Sequence, residues 1–197
     1  EINLVAQDTT NYGIDIYGKP SLPKLLHELI KIDGEYLIRV LYAYPTNINK
    51  QLLNVMKNST KIANYLDIPL QHFNDRLLKL IMRLIDDIRN QLPEITLRTT
   101  FIVGFPTETE TEYKQLLDFI KRYKFDKVGA FKYSREEETF AATLRPQIPE
   151  KTKQKRYNDL MELQRSISKT KNQRFKGKVL KVLVEGYDRE NSLYIGR

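Results

Sequence analysis

Apolar runs and helical patterns alternate five times along the chain. Runs rich in β-branched and aromatic residues, typical of strands, cover residues 1–7, 36–44, 61–70, 96–105 and 127–134. Segments with apolar residues at helical spacing follow them, at 21–32, 47–58, 74–92, 108–123 and 149–174. Because a helix between two strands favours parallel pairing, the sequence predicts an α/β fold with a parallel sheet. That sheet is either open and doubly wound or part of a βα barrel.

The pattern changes after Phe175. Apolar and charged residues alternate over 177–186, turn residues follow, and a second apolar run begins at Leu193. This alternation predicts a half-exposed antiparallel hairpin. We therefore predict a partial βα barrel over 1–148, a connecting basic helix over 149–175 and the beginning of a small β module over 176–197. Because the first strand starts at Glu1, we interpret the chain as the middle of a longer polypeptide.

The amino-acid composition narrows the classes to which this protein can belong. Hydrophobic residues make up 41% of the 197 residues, as in proteins that bury a core. No apolar run approaches the roughly 18 residues of a membrane span, so we expect no membrane contact. We also expect a monomeric protein in the cytoplasm. The chain has no cysteine, which excludes disulfides and thiolate metal ligands from these residues.

Positive charge is concentrated in one segment. The net charge is +8, and residues 145–181 contain 12 Lys/Arg against 3 Asp/Glu. Such a segment suits an acidic partner such as RNA. A solvated face of a long helix would give the same pattern, so both interpretations stay open.

Polar and aromatic residues follow each predicted strand. Parallel βα folds place their sites at the carboxyl ends of the strands. The residues at these ends are Gln7 and Asp8, Tyr42 and Tyr44, Gln71 and His72, Gly104 and Phe105, and Tyr133. The sequence therefore predicts a site at this edge.

The fourth strand ends abruptly in the stretch LRTTFIVGFPTETETE, residues 97–112. Thr107 and Glu110 fit a Thr-x-x-Glu capping box, which predicts that a helix begins directly after the Gly-Phe-Pro turn. Such a turn would expose backbone amides suited to an adenine, a ribose or a carboxylate. A tight turn without a ligand is the alternative.

Four ordered stretches carry a family resemblance. They are EINLVAQDTTNYGIDIYG (1–18), YLDIPLQH (65–72), LRTTFIVGFPTETETEY (97–113) and FDKVGAFKYSREEETFAATLRPQIPE (125–150). Together they resemble the radical S-adenosylmethionine methylthiotransferases. The forms at 6–18 and 132–142 resemble the branch that modifies an aspartate of a small-subunit ribosomal protein. One departure lies near Met82 and Arg83, where the family has an additional loop-and-helix stretch. Either a piece of the chain is left out between these residues, or the helix is shorter than in the family.

The resemblance implies a partial βα barrel that binds S-adenosylmethionine beside a [4Fe-4S] cluster. In the family three cysteines before the first strand hold that cluster, a second cluster belongs to a preceding domain, and a TRAM module follows. The chemistry is reductive cleavage of the cofactor, hydrogen abstraction from carbon, and transfer of sulfur and methyl. Without cysteines, these residues alone are expected to be inactive. The resemblance also implies a ribosomal-protein substrate, with ribosomal RNA contact through 145–181.

The resemblance also suggests roles for the residues at the strand ends. Gln7 and Asp8 are candidates for the cofactor's amino acid part or the target aspartate, although a turn or helix cap is an equal alternative. Gln71 and His72 are candidates for the ribose hydroxyls. Arg98, inside an apolar strand, requires a carboxylate from the cofactor or from another residue.

Aromatic residues complete the candidate set. Gly104 and Phe105 match the family's stretch near the adenine. Phe131 and Tyr133 would pack against the base or belong to the core. Three other functions stay open: a tRNA adenosine methylthiotransferase, a basic RNA-binding module without catalysis, and a βα-barrel enzyme for phosphorylated metabolites.

Overall fold

All five predicted strands are present in the computed structural model, which describes residues 1–71 and 75–196. The strands are β1 (Ile2–Leu4), β2 (Ile38–Val40), β3 (Tyr65–Asp67), β4 (Thr96–Val103) and β5 (Lys127–Lys132). β1 pairs in parallel with β2, and β3, β4 and β5 form a second parallel sheet. The amide of Ala63 donates to the carbonyl of Ile38 at 2.7 Å, which joins β2 to the segment before β3. The strands therefore stand side by side in chain order.

Helices lie between the strands, as predicted. They are α1 (Ile14–Tyr17), α2 (Leu22–Lys31), α3 (Lys50–Lys57), α4 (Asp75–Gln91), α5 (Glu110–Tyr123), α6 (Phe140–Thr143) and α7 (Glu150–Asn172). Three short 3-10 turns occupy Thr9–Asn11, Pro45–Asn47 and Gln173–Phe175. Among the described residues, no helix has the length and apolar character that a membrane crossing requires.

β2 and β3 are shorter than the sequence predicted. Each has three residues, whereas the apolar runs covered 36–44 and 61–70. Tyr42 and Gln71, just beyond them, have φ angles of 53° and 54°, in the left-handed region that a strand cannot use. The prediction was too long because strand propensity continues after the backbone has already turned.

The two faces of β4 have different environments. Leu97, Thr99, Phe101 and Val103 are fully buried, and the Phe101 ring packs edge-on against Phe119 with centroids 6.4 Å apart. The alternate residues of β4 are only partly buried. Because side chains alternate along a strand, these residues form a second face, called the inner face below.

The C-terminal hairpin consists of β6 (Val184–Asp188) and β7 (Leu193–Gly196), which are antiparallel. The hairpin confirms the antiparallel prediction, but its first strand begins at Val184 rather than at residue 177. In the described part of the chain, residues 178–183 pair with no strand. The alternation of apolar and charged residues does not make residues 178–183 a strand, because a strand needs a partner for its backbone groups.

Candidate functional site

Backbone hydrogen bonds bring the ends of the five strands together. The amide of Thr9 donates to the carbonyl of Tyr42 at 3.1 Å, and the amide of Ala43 donates to that of Asp67 at 2.8 Å. The amide of Gln71 donates to Thr100 at 2.9 Å, and that of Tyr133 to Val103 at 2.9 Å. The segments after β1 to β5 therefore share one edge. We call this edge the strand-end site.

Asp8, at the end of the first strand, caps a turn. Its Oδ1 accepts a hydrogen bond from the Thr10 amide at 2.9 Å and another from the Thr10 hydroxyl at 2.5 Å. Asp8 therefore caps the turn at Thr9–Asn11, which is one of the roles that the sequence left open for it. Gln7 is exposed next to it.

An apolar surface lies open on the inner face near the strand ends. Ile102 pairs in register with Phe131, and Gln71 forms a bridge with Phe101 on the other side of β4. The Phe131 residue is 63% exposed and Ile102 is half-buried, so this part of the inner face is not filled by packed side chains. An exposed ring beside an aliphatic side chain suits the flat face of a base. His72, which was predicted to lie nearby, is outside the described residues.

Arg98 forms an ion pair inside the sheet. Its Nη1 lies 3.1 Å from Oδ2 of Asp67, whose side chain is 1% exposed. Oδ1 of Asp67 is buried and has no hydrogen-bond partner in the described part of the protein. The sequence required a carboxylate for Arg98, and Asp67 supplies one.

The Arg98 guanidinium is not closed off by this pair. Its side chain is 36% exposed. Arg98 is in register with Lys127, and a Cβ at Gly129, two residues further along β5, would lie 3.9 Å from its Nη2. Ile102 is four residues further along β4, about 13 Å at the rise of a strand. A cation toward the amino end of β4 and an apolar surface toward its carboxyl end thus lie on the same inner face.

The amide of Gly104, predicted to face a ligand, is occupied by a side chain. It donates to both carboxylate oxygens of Glu108, at 3.1 and 3.2 Å. Gly104 has a φ of 71°, and a Cβ atom there would lie 2.4 Å from Cγ of Lys153 on α7. Glycine is therefore required for the backbone conformation and for the close approach of α7.

The predicted capping box at Thr107 and Glu110 is wrong. Thr109 is the N-cap of α5, and its hydroxyl accepts from the Glu112 amide at 3.2 Å. Glu112 Oε2 accepts from the Thr109 amide at 2.7 Å, which completes the box. Thr107 has a φ of 71° and lies in the turn. The helix begins later because Glu108 is turned back to Gly104.

Phe105 and Tyr133 form an aromatic pair at the strand ends. Their ring centroids lie 5.2 Å apart with an interplanar angle of 74°. Lys153 Nζ donates to the Tyr133 carbonyl at 2.9 Å, so α7 fixes this end of β5. The Tyr133 hydroxyl is buried without a hydrogen-bond partner among the described residues, a rare state for a buried polar group. A donor or acceptor of a bound molecule would satisfy it.

Four charged residues around the site were missed in the sequence: Asp67, Glu108, Lys153 and Arg156. All four are largely buried. A signal existed for Asp67, because an acidic residue inside the apolar run of residues 65–70 calls for a cation on a neighbouring strand. No comparable signal marked Lys153 and Arg156, since they belong to a helix with many other basic residues.

One cavity in the described part of the protein lies away from the strand-end site, and a smaller one lies beside it. A cleft of about 980 Å³ lies at the opposite, amino ends of the strands and is lined by Glu1, Arg39, Tyr65 and Lys127, among others. A crevice of about 90 Å³ adjoins Phe105 and Glu108. The strand-end site is instead an open surface, and functional groups of βα folds lie at this edge. No group of three acidic or histidine side chains in the described residues could hold a metal.

Sequence comparison identifies the family. No protein-family model matches the chain. The whole chain aligns with a protein of Caldicellulosiruptor saccharolyticus named ribosomal protein uS12 methylthiotransferase RimO, with 49% identity over 206 residues. Proteins of the same name from Carboxydothermus hydrogenoformans and Clostridium tetani are 46% and 44% identical over the whole chain. Over its whole length the chain is homologous to these proteins. The resemblance predicted from the four motifs is thereby confirmed.

The methylthiotransferase relatives are longer than this chain. The chain spans about half their length, 46% and 47% in the first two cases. Two solved structures are also similar: coproporphyrinogen III oxidase (HemN) from Escherichia coli, described as a radical SAM enzyme, and Streptococcus suis SuiB bound to the precursor peptide SuiA. Their TM-scores are 0.47 and 0.39, with 20% and 16% sequence identity. They cover 79% and 77% of this chain, which in turn covers 35% and 39% of theirs.

Proposed function

We propose that the chain forms the S-adenosylmethionine-binding core of an enzyme that adds a methylthio group to the β-carbon of an aspartate in ribosomal protein uS12. The observation that carries the proposal is the 44–49% identity over the whole chain to proteins named for that activity. The apolar surface of Ile102 and Phe131 at the functional edge of the βα fold supports it, and Arg98 supplies a cation on the same face, nearer the amino end of β4.

The residues of the strand-end site fit S-adenosylmethionine. Arg98 would bind the cofactor's carboxylate, because it remains partly exposed beside its partner Asp67. Ile102 and Phe131 would hold the base, and Gln71, at the same level, would reach the ribose hydroxyls. When bound, the cofactor supplies the radical chemistry and the methyl group. This chain's residues bind it, orient it and keep water away from it.

The iron-sulfur clusters of the family find no ligands in this chain. It contains no cysteine, so the donor set does not fit a [4Fe-4S] cluster. We propose that both clusters are held by residues outside these 197, and that these residues alone are inactive. Every step of the reaction that involves a cluster would therefore depend on those other residues.

The proposed substrate is a protein of the small ribosomal subunit, which would place the enzyme, acting as a monomer, in the cytoplasm. The relatives are named for uS12, and the same branch was predicted from residues 6–18 and 132–142. A tRNA substrate is the alternative outcome. Mass spectrometry of uS12 from cells without the gene decides between them, since the mass of a methylthio group should disappear from one aspartate. Loss of a tRNA modification instead would overturn the substrate assignment.

We also propose that residues 145–181 contact ribosomal RNA. Some basic side chains of this segment are not available for such contact, because they are buried or paired within the protein. Lys153 and Arg156 are buried, and Lys171 lies 2.5 Å from Asp126. Lys151, Arg165 and Lys169 are exposed and share one side of α7 at helical spacing. These three are the candidates for phosphate contact.

A salt titration tests this contact. Replacing Lys151, Arg165 and Lys169 with Gln should flatten the slope of log affinity against log salt by about 2 to 3 for binding to small subunits. The control replaces Lys121 and Lys114 on α5, which are exposed elsewhere. An unchanged slope in the α7 variant would rule out phosphate contact by this face.

Cofactor binding is tested with the unreactive analogue S-adenosylhomocysteine and the whole protein. Arg98→Gln should weaken binding at least tenfold, because a charge-assisted hydrogen bond to the carboxylate is lost. Arg122→Gln is the control, since Arg122 is exposed on α5 and its guanidinium lies over the Tyr123 ring. If Arg98→Gln binds as tightly as the parent protein in calorimetry, Arg98 does not hold the cofactor.

A further inference from the structure

A buried ion pair connects helix α7 to the turn after β4. Arg156 Nη1 lies 2.5 Å from Glu108 Oε1, and the two side chains are 6% and 14% exposed. The same Nη1 donates to the Glu108 carbonyl at 3.2 Å, and Nη2 lies 3.3 Å from Oε2 of Glu110. One guanidinium thus contacts both the turn and the first residue of α5.

Glu108 passes this contact on to the strand end. Its two carboxylate oxygens accept the hydrogen bonds of the Gly104 amide, at 3.1 and 3.2 Å. Phe105 follows directly and packs against Tyr133, whose carbonyl is held by Lys153 from the same helix. Helix α7 is therefore connected to the aromatic pair through hydrogen bonds, an ion pair and the peptide bond between Gly104 and Phe105.

We propose that Arg156 is a positioning residue, which acts through Glu108 to fix the Gly104–Phe105 turn and with it the aromatic pair of the strand-end site. The contribution to cofactor binding rests on the proposed function. The fixing of the turn does not, since it follows from the contacts alone. Lys153, which donates to the Tyr133 carbonyl, fixes the other member of the pair.

The physical reason is the cost of a lone buried charge. Burial raises the pKa of Glu108, and the Gly104 amide and Arg156 act against that rise. Without Arg156, a carboxylate that is nearly enclosed would have to become protonated or turn to solvent. Either change weakens or breaks the hydrogen bonds to Gly104, and the turn loses its fixed position.

Other features of the protein argue against a purely electrostatic surface role for Arg156. The Arg156 side chain lies over the Tyr113 ring at 5.2 Å, and its Nε is buried without a partner among the described residues. It faces the interior of the protein, unlike Lys155, its neighbour in sequence, which pairs with Asp159 at 2.5 Å on the exposed side. This neighbour provides a matched control on the same helix.

The test uses the whole protein and three variants. Arg156→Gln removes the charge, Arg156→Lys keeps it without the planar fork that reaches three oxygens, and Lys155→Gln changes the exposed neighbour. Two properties are measured: hydrogen exchange of the peptide containing residues 101–110 by mass spectrometry, and the affinity for S-adenosylhomocysteine.

We expect Arg156→Gln to increase exchange at 101–110 and to weaken binding about tenfold, with Arg156→Lys intermediate and Lys155→Gln unchanged. Parent-like exchange and affinity in Arg156→Gln would overturn the inference. If the parent protein does not bind the analogue, the proposed function fails, and the exchange measurement alone decides whether Arg156 fixes the turn.

A double variant distinguishes a change in the position of the turn from a loss of overall stability. Replacing Arg156 with Met and Glu108 with Leu removes both charges together, which often leaves a fold as stable as before. We expect near-parental denaturant unfolding but increased exchange at 101–110, because the Gly104 amide has lost its acceptor. Parental exchange in this variant would contradict the positioning role, even if Arg156→Gln alone failed to fold.

Discussion

The carboxylate of Asp67 and the guanidinium of Arg98 meet at 3.1 Å on neighbouring strands, but their surroundings are unequal. The Asp67 side chain is 1% exposed and that of Arg98 is 36% exposed. Arginine can therefore reach water if its partner is lost, whereas the aspartate cannot. The pair therefore consists of a buried carboxylate and a guanidinium that remains partly exposed to solvent.

This asymmetry predicts unequal costs for removing the two partners. Arg98→Met should destabilise the fold by about 2–3 kcal/mol, below the range for fully buried pairs because solvent screens the arginine. Asp67→Asn should cost about 1 kcal/mol. Denaturant unfolding measures both, with Lys121→Met at the exposed pair with Asp118 as the control at under ~0.5 kcal/mol. A larger cost for Asp67→Asn would contradict this account.

The capping box of α5 gives a prediction that separates two neighbouring threonines. Thr109→Ala should destabilise the protein by about 1 kcal/mol, because the Glu112 amide loses its acceptor. Thr107→Gly should stabilise it by up to about 1 kcal/mol, since Thr107 has a φ of 71°. Thermal unfolding compares the two. The reverse order of effects would favour the box predicted from the sequence.

The same box predicts a dependence on pH. Hydrogen bonds from the amide and hydroxyl of Thr109 lower the pKa of Glu112 below its ordinary value. Its contribution to stability is thus present at neutral pH and is lost as the pH falls from the ordinary pKa through the lowered one. Thr109→Ala should therefore lose less stability than the parent protein between neutral pH and pH ~3.

Replacing Gly104 should lower stability for two reasons, and the same replacement at Gly177 measures one of them alone. Gly104→Ala adds backbone strain and a clash with Lys153, for an expected loss of about 2–3 kcal/mol. Gly177→Ala, at a φ of 75° with nothing within 4 Å, has the strain alone and should cost about 1 kcal/mol. In a Lys153→Ala background, which removes Cγ and Cδ but keeps Cβ 3.1 Å away, the cost of Gly104→Ala should fall toward the Gly177→Ala value. An unchanged cost there would mean that α7 does not restrict the turn.

The buried side chain of Tyr113 leads us to expect that the protein loses stability at alkaline pH. Burial raises its pKa well above the ordinary value, and its hydroxyl donates to the Arg156 carbonyl at 2.8 Å. The unfolded chain therefore loses the phenolic proton first, and stability falls as the pH rises above ~10. Tyr113→Phe should make this fall shallower, while costing about 1 kcal/mol at neutral pH for the lost hydrogen bond. Tyr194→Phe, at an exposed tyrosine, is the control.

The sequence predicted the strands and helices better than the contacts between them. Runs rich in β-branched and aromatic residues, such as residues 96–105, alternate with helical patterns, and this alternation was sufficient to predict parallel strands. The sequence carried a signal for a buried charge at Asp67, but its pairing with Arg98, 31 residues away, depends on the register of β3 and β4. The capping box was misplaced because two overlapping Thr-x-x-Glu frames occur in residues 107–112. Only the contact of Glu108 with Gly104 decides between them.

The strand order has a consequence for how the protein is assembled during synthesis. Each strand from β1 to β5 lies beside the one that leaves the ribosome just before it. The nascent chain can therefore add one βα unit at a time, and most contacts form between near neighbours in sequence. Helix α7 emerges after all five strands, yet it carries Arg156 and Lys153. The edge where we place cofactor binding is thus the last part of the core to be completed.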